Sequence, residues 1–135
     1  MLRRSLLSLL VSLLILSCSD ASGPGRGVAG TWRLETINGQ ALPFALPDEP
    51  VDKLEVTAEV ITLVPPRSLS IVTTFRVTDG GNVFSETIPD GGTYVVDGST
   101  VRLTWDSDGT TTPATVTGNT MTLDDIGLRF VYRRD

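Results

Sequence analysis

The chain has 135 residues, no histidine and one cysteine, and its 11 Lys and Arg against 16 Asp and Glu give a formal net charge of −5. An acidic chain lacks the basic surface that binds nucleic acid or an anionic membrane, so neither is expected as a partner of the folded part. The absence of histidine removes the commonest metal ligand and general base near neutral pH, and one cysteine cannot form an intramolecular disulfide.

The first seventeen residues predict export. Arg3 and Arg4 precede an almost unbroken apolar run over residues 6–16. This run is shorter than the about 20 residues that a membrane-spanning helix needs. A basic segment, a short apolar segment and a small residue in this order are typical of a secretory signal peptide, which we assign to residues 1–17.

The end of this segment, LILSC at residues 14–18, resembles the lipobox of bacterial lipoproteins. The resemblance implies that Cys18 carries two or three acyl chains, begins the mature chain and holds it at the cell envelope. Several chains anchor a protein stably, whereas one does so only marginally. Ser19 after the cysteine favours the outer membrane, facing the periplasm, if the source is Gram-negative. The alternatives are a signal cleaved elsewhere, which leaves a free thiol, and a short uncleaved membrane anchor.

Behind the signal, the sequence predicts a tether and one domain. Residues 18–27 contain Cys18 followed by SDASGPGRG, a composition typical of a flexible linker. Residues 28–135 are enough for one domain with a core and too few for two. Once residues 1–17 are removed, 9 basic residues face 16 acidic ones, so the mature chain is more acidic still.

Residues 28–135 have the pattern of an all-β domain. Runs rich in Val, Ile, Thr and aromatic residues alternate between apolar and polar positions, which is typical of strands with one buried face. The run over residues 53–64 changes phase near its middle, which predicts a β-bulge. We expect eight or nine strands in an antiparallel up-and-down eight-stranded barrel, with a β-sandwich as the alternative. The predicted turns are Asn38-Gly39, Pro65-Pro66, Asp79-Gly80-Gly81-Asn82, Pro89-Asp90-Gly91-Gly92, Asp97-Gly98, Asp108-Gly109 and Gly118-Asn119.

The start of this domain, VAGTWRLETINGQALP at residues 28–43, resembles the Gly-X-Trp opening of lipocalin and other calycin barrels. It looks similar to the short lipocalin-like domains of bacterial lipoproteins. The resemblance implies that Gly30 admits the chain to the barrel and that Trp32 fills its bottom. It also places an arginine of the last strand against this tryptophan, and we expect Arg129 or Arg133 there, in a cation–π contact.

The sequence contains no recognisable catalytic set. Its serines have no histidine beside them, Lys53 is the one lysine, and no Gly-X-Ser-X-Gly or Ser-X-X-Lys motif occurs. Asp106-Ser107-Asp108-Gly109 and Asp124-Asp125 are typical of turns, and the first lacks the Glu that an EF-hand loop has at its twelfth position. We therefore expect no enzymatic activity, no cofactor and no metal site.

If the barrel is hollow, its inward apolar side chains would contact a ligand. The segment ALPFALPDEP at residues 41–50 is either a rim at the open end, with Phe44 against the ligand, or a loop that packs Phe44 onto the barrel's own end. The candidate lining residues are Phe44, Leu34, Val56, Ile71, Phe75, Leu103, Trp105, Met121 and Phe130.

These patterns predict a monomeric barrel, anchored to a membrane through Cys18, that binds a small apolar or amphipathic ligand. The alternative is a barrel with a solid core that serves as an envelope scaffold and contacts a protein partner through an outer face or an edge strand. A third hypothesis is an inhibitor of an exported protease. An interior cavity of about 300 Å³ or more favours the first hypothesis over the second.

Overall fold

Residues 27–135 are the part of the chain that the computed structural model describes, and they form an all-β domain. The predicted signal peptide, Cys18 and most of the predicted tether lie outside these residues. Between residues 27 and 135 there is no helix of the length and apolarity needed to cross a membrane. The strands are β1 (Gly30–Ile37), β2 (Gln40–Ala41), β3 (Phe44–Ala45), β4 (Lys53–Val64), β5 (Ser68–Asp79), β6 (Asn82–Asp97), β7 (Thr100–Trp105), β8 (Thr111–Thr117), β9 (Thr120–Asp125) and β10 (Leu128–Arg134).

Eight of these strands close into an antiparallel up-and-down barrel. Strands β4 to β10 each pair with the next along the chain, β10 pairs with β1, and β1 pairs with β4. The last pairing joins Gly30 to Leu63 and Arg33 to Val60, which completes the ring. The short strands β2 and β3 are additions beside β1 and β4. The predicted lipocalin-like barrel is therefore confirmed, and the sandwich alternative is wrong.

One end of the barrel, which we name the closed end, is filled by Trp32. Its side chain is fully buried, and its indole N–H donates a hydrogen bond of 3.0 Å to the Val28 carbonyl. The guanidinium of Arg134 lies over the indole ring, 4.5 Å from its centroid. The predicted arginine is therefore present, but it is Arg134, and not Arg129 or Arg133 as expected. Side chains alternate between the two faces of β10, so Arg129 and Arg133 lie on the outer face, where they form ion pairs with Asp124 and Glu35.

Gly91 and Gly92 correct another expectation, because the predicted turn at Pro89-Asp90-Gly91-Gly92 does not exist. Strand β6 runs through these residues without interruption. A Cβ atom on Gly92 would lie 1.9 Å from the carbonyl oxygen of Thr104 on β7. Glycine here permits a close approach of two strands, which is a recognised role of glycine inside a sheet.

The phase change predicted within β4 is a β-bulge. The pairing of β4 with β5 shifts between Val56 and Ala58, so Thr57 is the extra residue. The bulge lies earlier than the sequence pattern suggested. As a result Glu59 joins Ile61 and Leu63 on the inner face, while Ala58 is exposed.

Candidate ligand-binding site

A cavity of about 400 Å³ occupies the end of the barrel opposite Trp32, which we name the open end. The β7–β8 and β9–β10 turns lie at this end, because neighbouring strands of an up-and-down barrel turn alternately at its two ends. The cavity wall contains residues of strands β4 to β10 and of these two turns. Below the cavity, Leu103 and Met121 are fully buried, so the barrel is hollow at one end and packed at the other.

Much of the cavity wall is apolar. The indole N–H of Trp105 donates to the Thr112 hydroxyl at 3.0 Å, which fixes the orientation of this ring. Of the predicted lining residues, four lie on the wall: Ile71, Phe75, Trp105 and Phe130. The other apolar side chains of the wall are Ile88, Leu123 and Ile126.

The other predicted lining residues do not line this cavity. Leu34, Val56, Leu103 and Met121 are buried in the packed core. Phe44 lies on β3, which pairs with β4 through Val56, and its side chain packs partly buried against the same core. The segment around Phe44 thus lies beside β4 and packs Phe44 against the barrel's own core, which agrees with the packing alternative.

Glu59 is the polar group that sequence reasoning missed. Its carboxylate accepts hydrogen bonds from the Tyr132 hydroxyl and, at 2.7 Å, from the Thr73 hydroxyl. Burial raises the pKa of Glu59 above its ordinary value, although both hydrogen bonds oppose this, and the nearby Asp125 raises it further. Burial and the charge of Glu59 also raise the pKa of Tyr132 well above its usual value, so this phenol stays protonated as a donor.

Three more carboxylates surround the opening of the cavity: Asp90, Asp108 and Asp125. The turn that carries Asp108 is held to β6, because the Ser107 hydroxyl donates to Asp90 at 2.7 Å. Asp108 itself accepts hydrogen bonds from the hydroxyl and the backbone N–H of Thr110, and these lower its pKa. The predicted Asp-Ser-Asp-Gly segment is therefore a turn, and it forms part of the cavity rim.

The charges on the cavity wall are of one sign. Among the described residues that line it there are four carboxylates and neither a lysine nor an arginine. By contrast, the ion pairs found within residues 27–135 join Arg33 to Asp135, Lys53 and Arg76 to Glu55, Arg102 to Asp97, Arg129 to Asp124 and Arg133 to Glu35. None of these pairs includes a carboxylate of the cavity.

Ile126 lies at the rim in an unusual conformation. It is 75% exposed and its φ is +46°, a left-handed value that β-branched residues rarely adopt. The corresponding β1–β2 turn uses Asn38 and Gly39, the pair that such a turn favours. Ile126 thus exposes an apolar side chain in a strained turn, and this side chain lines the cavity.

The first part of β6, residues 82–90, has a free edge beside the cavity. Residues 82–90 pair with β5 only, because β7 begins to pair with β6 at Gly92. Val83 and Phe84 are exposed on this segment, at 63% and 51%. The segment therefore combines unpaired backbone groups with apolar side chains.

No grouping of three acidic or cysteine side chains suited to a metal ion occurs in residues 27–135. No protein-family model matches the chain, and no curated protein matches it in sequence. The resemblances to lipoproteins and lipocalins therefore depend on the motifs described above.

Proposed function

We propose that this protein is an exported, lipid-anchored barrel that binds a small amphipathic ligand in the cavity at its open end. One observation carries the binding part of the proposal, the cavity of about 400 Å³ inside the barrel wall. Ligand pockets commonly measure about 300–1,000 Å³. The volume is at the lower end of this range, which suits a short chain or a single ring system.

The composition of the wall supports the same proposal. Small-molecule sites are predominantly apolar with a few polar groups that orient the ligand. Here Phe75, Trp105 and Phe130 supply aromatic surface, while Glu59 and Tyr132 supply a hydrogen-bonded polar pair. The site therefore suits a molecule that has an apolar body and one polar group.

Binding is tested with residues 19–135, because every strand pairing of the barrel lies within Gly30–Arg134. A cooperative unfolding transition first verifies that this chain folds. Octanol is then titrated while tryptophan fluorescence is recorded. We expect a saturable change that disappears in Trp105→Phe, which keeps only the buried Trp32 as a reporter. Absence of saturable binding by calorimetry as well would contradict the binding proposal.

Anchoring is tested on the full chain expressed in a bacterium. We expect Cys18 to incorporate a labelled fatty acid and the protein to sediment with the envelope membranes. Cys18→Ser should carry no label and should remain soluble or unprocessed. Incorporation of equal label into the Cys18→Ser protein would refute lipidation at this residue.

The free edge of β6 favours a second function, binding of a protein partner. An extended peptide can add a strand to an exposed sheet edge, with backbone hydrogen bonds providing affinity. Phe84→Lys would place a charge on the apolar surface beside this edge. Loss of an envelope partner from cross-linked complexes of this variant, with octanol binding unchanged, would support the second function.

A further inference from the structure

We propose that the ligand is an amphipathic cation, with an ammonium or amidinium group held by the cavity carboxylates and an apolar body against the aromatic wall. This inference rests on the proposed function, because it specifies the ligand of the same cavity. Three features of the site support it: the like charges on the cavity wall, the lack of a lysine or arginine paired with Glu59, and the aromatic rings.

The first feature is the arrangement of Glu59 and Asp125. Both line the cavity, and they are close enough for the charge of one to raise the pKa of the other. Two like charges on the same partly apolar wall repel each other, and this repulsion is relieved when a cation binds between them. Asp90 and Asp108 add negative charge at the rim, so the field inside the cavity also draws a cation inward.

The second feature is the contrast with the other buried carboxylate of the described domain. Glu55 is also buried, but Arg76 and Lys53 lie 2.7 and 2.9 Å from its oxygens and lower its pKa to about 2. Within residues 27–135, Glu59 receives side-chain hydrogen bonds from the neutral hydroxyls of Tyr132 and Thr73 alone. The charge of Glu55, which lies away from the cavity, is thus neutralised by Arg76 and Lys53. Glu59 on the cavity wall has no cationic partner among the ion pairs described above.

The third feature is the set of aromatic rings. Phe75, Trp105 and Phe130 line the same cavity as the carboxylates. The face of an aromatic ring attracts a cation and repels an anion, and the same surface accepts alkyl or aryl groups. A carboxylate ligand such as a fatty acid would therefore be repelled both by the cavity carboxylates and by the faces of the aromatic rings. An uncharged ligand would leave the cavity carboxylates without a counter-charge.

The test compares three probes with the same apolar body: octylammonium, octanol and octanoate. Their affinities for folded residues 19–135 are measured by calorimetry and by tryptophan fluorescence. We expect octylammonium to bind about tenfold more tightly than octanol, which corresponds to about 1.4 kcal/mol. We expect octanoate to bind more weakly than octanol. The advantage of octylammonium should fall when the salt concentration rises from about 0.02 M to about 0.5 M, because exposed charges at the rim are screened.

Two variants locate the effect. Glu59→Gln keeps the shape of the side chain and one of its two accepting oxygens, and it should weaken octylammonium binding far more than octanol binding, so that most of the preference is lost. Asp97→Asn is the matched control, because Asp97 is an acid at the closed end that pairs with Arg102. It should leave all three affinities unchanged. Thermal unfolding of both variants verifies that they fold.

The outcomes separate the two proposals. Equal binding of octylammonium and octanol, or tighter binding of octanoate, overturns the cation inference and leaves ligand binding intact. Absence of saturable binding by all three probes refutes the proposed function itself. A preference for octylammonium that persists in Glu59→Gln and falls in Asp97→Asn shows that the cation binds elsewhere, and it also overturns the inference.

Discussion

Substitution of Gly92 by alanine should weaken the pairing between strands β6 and β7. The new Cβ would lie 1.9 Å from the Thr104 carbonyl oxygen, whereas ordinary contacts measure 3.4–4 Å. The strands would have to separate by about 1.5 Å, which takes N–H···O bonds beyond their normal length. Loss of roughly two such bonds costs about 1–3 kcal/mol, and a gain of about 0.4–1 kcal/mol from reduced backbone entropy offsets it only in part.

The matched control is Gly91→Ala at the neighbouring position. There the nearest atoms to a new Cβ are the Asp106 carboxylate oxygen at 3.3 Å and the Leu69 carbonyl oxygen at 3.5 Å. Because the aspartate side chain can move, we expect a change within about 0.5 kcal/mol.

Urea and thermal unfolding of the two variants, each compared with the wild-type protein, measure the difference. The middle of the ranges given above is a net loss of about 1.3 kcal/mol, so Gly92→Ala should lower Tm by roughly 5–10 °C, since about 1 kcal/mol corresponds to about 4–8 °C in a domain of this size. It should also alter the fluorescence of Trp105, which is the pairing partner of Gly92. If Gly92→Ala is as stable as Gly91→Ala, the close approach of the strands is not a constraint on the fold and the reasoning is refuted.

Four further predictions concern the two buried carboxylates, the stacking contact and the strained turn. Because burial raises the pKa of Glu59, the fold favours its protonated form and loses stability as the pH rises through that pKa. Glu59→Gln should therefore have a higher Tm than the wild-type at about pH 8 and an equal Tm at about pH 4, and a lower Tm at about pH 8 would contradict this. The pH dependence expected for Glu55 is the opposite, because its ion pairs lower its pKa from 4.5 to about 2. Ionised Glu55 stabilises the fold fully above about pH 4.5, and this contribution to stability is lost as the pH falls towards 2. The Tm advantage of the wild-type over Glu55→Gln should follow that course in acid titrations, and a constant difference would show that the ion pairs are not responsible. Arg134→Met removes the cation–π contact with Trp32 and should lower the free energy of unfolding in urea by about 0.5–2 kcal/mol. The control is Arg133→Met on the outer face, which should change this free energy by less than about 0.5 kcal/mol. Equal effects of the two substitutions would exclude a contribution from stacking. Ile126→Asn should stabilise the domain by about 1 kcal/mol in the same assay, because asparagine tolerates a left-handed φ. The same substitution should weaken octanol binding. A loss of stability would mean that Ile126 is needed for folding.

Alternation in the sequence predicted the barrel and part of its cavity. Ile71 and Phe75 on β5 and Phe130 on β10 follow a period of two without interruption, so their inward direction could be predicted from the residues alone. The same pattern could not show how far the packed core extends. Leu103 and Trp105 lie on the same face of β7, yet only Trp105 reaches the cavity.

Glu59 was missed because of the bulge at Thr57. Counting forward from Leu54 and Val56 places Ala58 and Val60 inside the barrel, and an acidic residue between them is then expected in solvent. Counting back from Ile61 and Leu63 would have placed Glu59 inside. The position of a one-residue insertion in a strand depends on its partner strand, so a single strand's sequence leaves both registers open.

Two other errors have different physical origins. A Pro-Asp-Gly-Gly segment has the composition of a turn, but glycine is also required where two backbones approach closely, and composition does not distinguish the two roles. The stacked arginine was placed by resemblance to a family, whereas the alternation of Phe130 and Tyr132 in the same strand points to Arg134. In that case the residues themselves contained the correct answer.

The chain enters and leaves the barrel at the closed end, where Arg134 donates to the Gly27 carbonyl at 3.1 Å and the Asp135 N–H donates to Thr31 at 3.0 Å. The cavity opens at the other end. If Cys18 holds the protein at a membrane as proposed, the chain from the anchor joins the barrel at the end opposite the cavity opening. The anchor's point of attachment would then leave the opening unobstructed, so that a ligand could enter without displacing the segment that joins the barrel to the membrane.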